Sequence, residues 1–382
     1  MTMMLNKDAR EDLMERGYSR RQIAEVAALV GAGVAASSLL GGAAQAQQQA
    51  ARGVAGAVRI GSNECWTGPF PSGVDAAAKA AALGNWYDPD NYRGDLVKTV
   101  ASVEGIPESH VMLWPGSGGP LVSTVAAFCS PTKGLVTADP TFESAWRTAD
   151  YLKAPIAKAP QAPGAGHDVK AMLAANPNAG LYYICTPNNP TGTVTPLADI
   201  EWLLANKPKD SVLLVDEAYI QFSDAQSCLD LVASGADVLV ARTFSKIYGL
   251  AGLRCGLIAG RKDLLDGMAR YGVNITPMPA VVAAEASLLD ADLVPMRKAE
   301  NKAVRDDLTT WCATQGLRTL PSEASFLMIH VGRPGADVTA ALARDRIFIG
   351  GPRKHMDDWV RVSIGTAAEM QAFKTALLKV LA

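Results

Sequence analysis

From about residue 111 onward, short runs of apolar and β-branched residues alternate regularly with amphipathic stretches. The runs predict six strands, at 111–114, 134–138, 181–185, 211–215, 237–241 and 255–259, each ending at a polar or glycine-containing turn. Stretches with helical periodicity lie between or after them, at 121–129, 197–206 and 262–271. Because helices between strands cover both faces of a sheet, the alternation predicts an α/β fold with a mostly parallel sheet covered by helices.

The length of the chain predicts more than one domain. Its 382 residues exceed the roughly 250 to 300 residues at which a single core stops growing. Pro277 and Pro279 mark a boundary, followed by long helices at 280–290 and 294–315 and short strands at 326–331 and 359–363. We therefore expect an N-terminal arm over 47–75, a large domain over 76–275 and a smaller α+β domain over 276–382. The Pro-, Ala- and Gly-rich segment 154–166 predicts a linker or surface loop.

The charges and cysteines exclude several classes of function. The 36 Lys and Arg residues nearly balance the 38 Asp and Glu residues, without basic clusters, so no nucleic-acid surface is expected. The six cysteines form no C-x-x-C pair, and the four histidines include no H-E-x-x-H motif. We expect neither a metal site nor a disulfide framework.

Residues 18–46 have the order of an export signal. Arg20 and Arg21 precede an almost uncharged Ala/Gly/Leu/Val run over 26–44, which ends in Ala-Gln-Ala. Paired arginines before such a run resemble the signal read by the twin-arginine translocase, which carries folded proteins. We expect residues 1–46 to lie outside the fold, to be cleaved after about Ala46 and to direct the protein to the periplasm or outside the cell. The alternatives are a buried Ala-rich helix of the fold and a permanent membrane anchor, and the glycines and small-residue ending argue against both.

Chemistry-bearing residues follow the predicted strands, where ligands bind in doubly wound sheets. A glycine-rich turn, 115–120, precedes a helix whose N-terminus could hold a phosphate, although the same turn could be purely structural. Asp216 emerges from an apolar strand and therefore needs a cationic partner. Lys246 stands among hydroxyl side chains and glycines, with Arg254 eight residues further on. Cationic neighbours would lower the pKa of this lysine, as a nucleophilic amine requires.

Three motifs occur in a familiar order: N-N-P-T-G at 188–192, D-E-A-Y at 216–219 and T-F-S-K-x-Y-G-L-A-G-L-R at 243–254. Together they resemble the fold-type I pyridoxal-phosphate (PLP) aminotransferases of the histidinol-phosphate aminotransferase group, in the class I/II superfamily. The resemblance runs from about residue 60 to residue 380. It implies a PLP cofactor, a ping-pong transfer of an amino group between an amino acid and a keto acid or aldehyde, and a homodimer that completes each site across its interface.

The resemblance also implies roles around the cofactor ring. Lys246 would hold PLP through an imine and then move a proton between the substrate Cα and the cofactor. Asp216 would pair with the protonated pyridine nitrogen. Asn189 and Tyr219 would hydrogen-bond the phenolate oxygen, and Phe142 would stack on the ring.

The resemblance also implies which residues bind the anionic groups of the cofactor and the substrate. The phosphate ligands implied by the resemblance are Ser117, Gly118, Ser245 and Arg254. Arg361, together with Asn189, would bind the substrate, because a planar guanidinium suits an anionic group. Tyr87 or Tyr92 would reach the phosphate in the partner subunit, and we prefer Tyr87.

The chain departs from the family pattern where Ser117 is followed by Gly118, Gly119 and Pro120, which removes an acidic residue beside the phosphate loop. The segment 63–69 is irregular as well. Both departures leave the substrate and the type of reaction open. A PLP-dependent decarboxylase or lyase of the same fold is one alternative, and a catalytically idle binding protein is another, although the intact set of ring-binding residues disfavours it.

Overall fold

The computed structural model describes residues 5–31, 51, 53–272 and 275–382. Its strands are β1 (Val58–Ile60), β2 (Val111–Trp114), β3 (Leu135–Asp139), β4 (Ile156–Pro160), β5 (Leu181–Cys185), β6 (Val212–Asp216), β7 (Val238–Thr243), β8 (Gly256–Gly260), β9 (Phe326–His330), β10 (Ile347–Ile349) and β11 (Trp359–Ser363).

Helices occupy most of the sequence between the strands. They are α1 (Lys7–Glu15), α2 (Arg20–Gly31), α3 (Pro71–Ala81), α4 (Tyr92–Glu104), α5 (Gly118–Phe128), α6 (Ser144–Tyr151), α7 (Val169–Ala175), α8 (Leu197–Asn206), α9 (Leu229–Ala233), α10 (Lys262–Ala269), α11 (Met278–Leu289), α12 (Leu293–Thr314), α13 (Gly335–Arg344) and α14 (Ala367–Leu381).

Seven strands form the central sheet, in the order β2-β8-β7-β6-β5-β3-β4. Strand β8 runs antiparallel to both of its neighbours, and the other pairings are parallel. Strand residues alternate between two apolar clusters: Tyr182 and Ile184 face one, and Tyr183 and Cys185 face the other. Helices cover both faces, so the predicted α/β architecture is confirmed.

The expectation of a loop over 154–166 is wrong in part, because β4 lies within it. This strand pairs with β3 at the edge of the sheet. An edge strand needs hydrogen bonds on one side alone, so Pro160 is tolerated at its end. The composition indicated a loop because a strand that pairs on one side alone needs few β-branched residues.

The smaller C-terminal part is built from two pairs of strands and the helices around them. Strand β9 pairs with β11, and β10 pairs with β1 of the N-terminal arm. These strands share a third apolar cluster with helices α12 and α14. Helix α11 lies within the predicted small domain but packs into the core of the large domain through Ala280, Val281 and Ala284. The boundary between the apolar core of the large domain and that of the C-terminal part therefore lies along α12 rather than at residue 276.

The N-terminal helices α1 and α2 pack onto the large domain. Leu13, Tyr18 and Val26 are buried in the same cluster as Leu121 of α5. The Tyr18 hydroxyl donates to the carbonyl oxygen of Cys129 at 2.8 Å. The expectation that the whole N-terminal segment lies outside the fold is therefore wrong for residues 5–30, since their apolar side chains find an apolar face on the domain. Residues 32–50, with the predicted cleavage position, lie outside the described residues.

Within the residues that the structure describes, no helix is both long and apolar enough to cross a membrane.

Candidate active site

A cavity of about 540 Å³ opens at the carboxyl ends of strands β5, β6 and β7, between the large domain, the N-terminal arm and the C-terminal part. Ten of the predicted site residues line it: Ser117, Gly118, Phe142, Asn189, Asp216, Tyr219, Ser245, Lys246, Arg254 and Arg361. Tyr87 does not line it and is 94% exposed on the surface. One chain thus brings together every predicted site residue except the one expected to act across an interface.

Asp216 is a buried carboxylate at the end of β6, with 2% of its surface exposed. Its Oδ2 accepts a hydrogen bond from the Tyr183 hydroxyl at 3.1 Å, and its Oδ1 accepts one from the Ala218 N–H at 3.2 Å. Burial raises the pKa of Asp216 to about 6. Among the described residues it forms no ion pair, so the carboxylate lacks the cation that its burial calls for.

Lys246 follows β7 and projects its amine into the cavity. The Nζ atom donates to the carbonyl oxygens of Asn63 at 3.0 Å and of Ser62 at 3.5 Å. Burial, with the nearby Arg361, lowers the pKa of Lys246 to about 8. A much larger fraction of this amine is neutral and nucleophilic near neutral pH than for an ordinary lysine.

An arginine and a tight turn form the floor of the cavity. Arg254 has a positive φ of 67° and donates to the Ser245 hydroxyl at 3.2 Å and to the Pro115 carbonyl at 3.4 Å. Gly116, also at positive φ, lies so close that a Cβ there would collide with the guanidinium. The Ser117 hydroxyl makes no capping bond to helix α5 and remains available to a ligand. Helix N-terminus, hydroxyl groups and guanidinium together suit a phosphate.

Two amides converge on the Tyr219 hydroxyl oxygen. Asn63 donates to it at 3.1 Å and Asn189 at 3.5 Å. Burial raises the pKa of Tyr219 to about 12, so the phenol keeps its proton. Because the oxygen accepts from both amides, its own hydrogen is free to donate into the cavity.

Arg361 on β11 is a buried guanidinium, 3% exposed. It donates to Asn189 Oδ1 and to the Gly61 carbonyl, both at 2.7 Å, while its Nε is buried without a partner. Burial, together with the nearby Arg353, lowers the pKa of Arg361 to about 9. Both acceptors are uncharged oxygens, so the position favours an anionic ligand.

Sequence reasoning missed several residues of the site. Asn63 contacts both Lys246 and Tyr219, although the sequence showed only an irregular segment there. Tyr183 lies inside a strand, where no sequence pattern indicated its role.

Two further residues that the sequence analysis missed also line the cavity. The Lys158 ammonium lies 4.0 Å from the centre of the Trp146 indole ring, and the buried Nε of Arg353 has no hydrogen-bond partner among the described residues.

Comparison with known proteins agrees with this geometry. Residues 56–377 match the family model of the class I and II aminotransferases. An aromatic amino acid aminotransferase of Rhodococcus jostii is 34% identical over 83% of this chain and 88% of its own length. A histidinol-phosphate aminotransferase of Moorella thermoacetica is 32% identical over 86% of this chain and 87% of its own.

A solved structure extends the likeness to the cofactor. The histidinol-phosphate aminotransferase of Sinorhizobium meliloti in complex with PLP superimposes with a TM-score of 0.79 at 26% identity, covering 89% of this chain and 94% of that one. The fold is that of the PLP-dependent transferases of fold type I. The chain belongs to the class I and II aminotransferases, and it is a PLP-dependent enzyme.

The residues of the cavity fit this cofactor. Asp216 is a buried carboxylate that forms no ion pair among the described residues, so the protonated ring nitrogen would supply its opposite charge, and the Lys246 amine would hold the aldehyde carbon. The floor formed by Ser117, Ser245 and Arg254 suits the phosphate. When bound, PLP supplies an electron sink for the negative charge that develops on the substrate Cα.

Proposed function

We propose that this aminotransferase takes amino donors that carry an anionic group, which Arg361 binds, and passes the amino group to a keto acid or aldehyde. The observation that carries the proposal is the buried Arg361 guanidinium, whose Nε has no hydrogen-bond partner among the described residues, in the same cavity as Lys246 and Asp216. A carboxylate or phosphate ester at Arg361 would accept the charge-assisted hydrogen bonds that the buried Nε lacks.

Each residue of the site has a separate role in the proposed reaction. Asp216 would hold the ring nitrogen as its counter-ion, and Tyr219 and Asn189 would donate hydrogen bonds to the phenolate oxygen of the ring. Lys246 Nζ would take a proton from the substrate Cα and deliver it to the cofactor carbon that came from the aldehyde, because its lowered pKa lets it act as a base near neutral pH. Arg361 fixes the substrate so that this proton faces the lysine.

A half-reaction assay tests the proposal. Purified enzyme loaded with PLP would be mixed with single amino donors, and stoichiometric pyridoxamine phosphate would be measured after the protein is denatured. The panel pairs each donor with a counterpart that lacks its anionic group: an aromatic amino acid with the corresponding amine, and histidinol phosphate with histidinol. We expect conversion with the anionic member of at least one pair and little with its counterpart. Release of CO₂ without pyridoxamine phosphate would instead identify a decarboxylase.

We propose that the enzyme acts as a homodimer. Tyr87, Trp86 and Ile275 form an exposed apolar patch, in which Arg93 donates to the carbonyl oxygens of Tyr87 and Thr276. A second copy covering this patch would bring Tyr87 to the partner's phosphate site. Tyr92 is the weaker candidate, since its hydroxyl already donates to Asp90 at 3.0 Å. Sedimentation of the wild type as a dimer and of Trp86→Asp as a monomer is expected, and a monomeric wild type would contradict the proposal.

We propose further that the protein is exported through the twin-arginine translocase. The order of Arg20, Arg21 and the apolar run supports this, and both arginines are exposed at the first turn of α2, where a receptor can reach them.

A further inference from the structure

A tyrosine beneath the cavity contacts the cofactor's counter-ion and does not line the cavity itself. Tyr183 lies in the middle of β5, fully buried, and its hydroxyl donates to Asp216 Oδ2 at 3.1 Å. Cys185 is the residue paired with Asp216 across β5 and β6. Tyr183, two residues earlier, lies on the same face of the sheet and therefore reaches the carboxylate from below.

The Asp216 carboxylate has one hydrogen bond to each oxygen, and both donors are uncharged. One is the N–H of Ala218, and the other is the hydroxyl of Tyr183. Burial opposes the charged form of Asp216, while both hydrogen bonds favour it. Burial and Asp216 also raise the pKa of Tyr183 well above its usual value, so the hydroxyl remains a donor throughout the working pH range.

Other titratable groups near Asp216 do not replace this donor. Lys246 electrostatically favours the ionised form of Asp216, but its amine donates hydrogen bonds to backbone carbonyls. Glu217 disfavours the ionised form of Asp216, although the Glu217 carboxylate is itself paired with Arg242 at 2.8 Å. Cys185 and Tyr219 have raised pKa values through burial and are neutral. Tyr183 is therefore the only side chain of the described residues that hydrogen-bonds this carboxylate.

We infer that Tyr183 is a positioning residue for PLP: its hydroxyl keeps Asp216 ionised and oriented, so that the carboxylate can bind the protonated ring nitrogen. The residue acts through Asp216 and never touches the cofactor. A Tyr-to-Phe change would leave the shape of the core intact and remove one hydrogen bond to a buried charge.

The test is a titration of apoenzyme with PLP, followed by the absorbance of the bound cofactor, in wild type and Tyr183→Phe. The lost hydrogen bond should raise the Kd for PLP by about tenfold at pH 7.5. Asp216 should protonate at a higher pH in the variant, so PLP affinity should begin to fall at a higher pH as the solution is acidified. The titration of the PLP phosphate is common to both proteins and cancels in the comparison.

A cofactor analogue with carbon in place of the ring nitrogen separates positioning from structural damage. It offers Asp216 no cationic partner, so Tyr183→Phe should change its Kd by less than about twofold. In an Asp216→Asn background, Tyr183→Phe should likewise have little effect on PLP affinity.

Tyr182→Phe is the matched control, because Tyr182 is the adjacent buried tyrosine and faces the other cluster. Its hydroxyl donates to the Asn176 carbonyl at 2.8 Å, away from the site, so its removal should leave the Kd for PLP unchanged. An unchanged Kd and pH midpoint in Tyr183→Phe would overturn the inference. So would equal losses with PLP and with the nitrogen-free analogue, which would indicate a general disturbance. Failure of the wild type to bind PLP would instead contradict the cofactor assignment.

Discussion

At the scale of single residues, the site is marked by buried charged groups. Among the described residues, Asp216 forms no ion pair and Arg361 donates to uncharged oxygens, although both side chains are almost fully buried. Desolvating such groups costs several kcal/mol each unless a partner of opposite charge is present. In the function proposed above, the cofactor and the substrate supply the opposite charges that offset this penalty. Lys246 belongs with them, since its burial favours the neutral amine.

The lowered pKa of Lys246 predicts how PLP capture depends on pH. The neutral amine reacts with the aldehyde, and its fraction rises as the pH increases through about 8 rather than through the 10.5 of an ordinary lysine. The rate at which apoenzyme gains the visible absorbance of bound PLP should therefore rise between pH 6.5 and 8.5, as expected for such a pKa, and then level. Lys246→Ala is the control and should gain neither that absorbance nor sensitivity to borohydride. A midpoint near the ordinary lysine value would contradict the effect of burial.

Arg361 and Arg254 are predicted to serve different anions. A charge-assisted contact to substrate contributes on the order of 1.5 to 3 kcal/mol, so Arg361→Ala should lower kcat/KM by roughly ten- to a hundredfold, with PLP content almost unchanged. Arg254→Ala should instead weaken PLP retention, and excess PLP should restore part of the activity, because its partner is the cofactor phosphate. PLP titration and substrate kinetics at saturating PLP would be measured on both variants. The reverse pattern would exchange the two assignments.

At the scale of helices and strands, the sequence patterns correctly predicted the elements that have a strong local signal. Strands β2, β5 and β11 and helix α8 occur within the predicted bounds, because apolar runs there end sharply at polar turns. Edge strand β4 was missed because its residues carry little β propensity.

The site residues found from the sequence were those in motifs. Asn63 and Tyr183 escaped notice because their roles depend on contacts across about 180 and 30 residues of chain, respectively, which no local pattern records. The helices α1 and α2 were misjudged for a similar reason. Their apolar residues could serve a signal or a packed helix equally well, and the face on α5 that receives them is set by the tertiary fold.

The packing of α1 predicts a stability effect in the full-length protein. Leu13 is fully buried against the large domain, whereas its neighbour Met14 is half exposed. Leu13→Ala should lower the free energy of unfolding by about 2 to 5 kcal/mol if the helix unfolds together with the domain. Met14→Ala is the matched control and should change it by less than about 0.5 kcal/mol. Equal melting temperatures for the two variants would show that α1 contributes nothing to the stability of the domain.

At the scale of the whole molecule, the cavity is closed by three separate parts of the chain. Arg361 from the C-terminal part donates to Asn189 of the large domain and to Gly61 of the arm, and Asn63 donates its N–H to Ser363 at 2.8 Å. The cofactor site therefore exists only after the arm and both cores have assembled. A protein of this design has to capture its phosphorylated cofactor in the folded state, which suits an export route that carries folded proteins.

The proposed export through that route makes a final prediction for Arg20 and Arg21. Their replacement by lysine keeps the charge, both side chains are exposed, and Arg21 pairs with Glu25 at 3.3 Å on the same helix. The double variant should fold, bind PLP and remain active in extracts, while fractionation should find it in the cytoplasm because the translocase reads the arginine pair. Arg10→Lys, a matched change ahead of the pair, should still be exported. Recovery of the double variant from the periplasm at the wild-type level would show that this arginine pair is not the export signal.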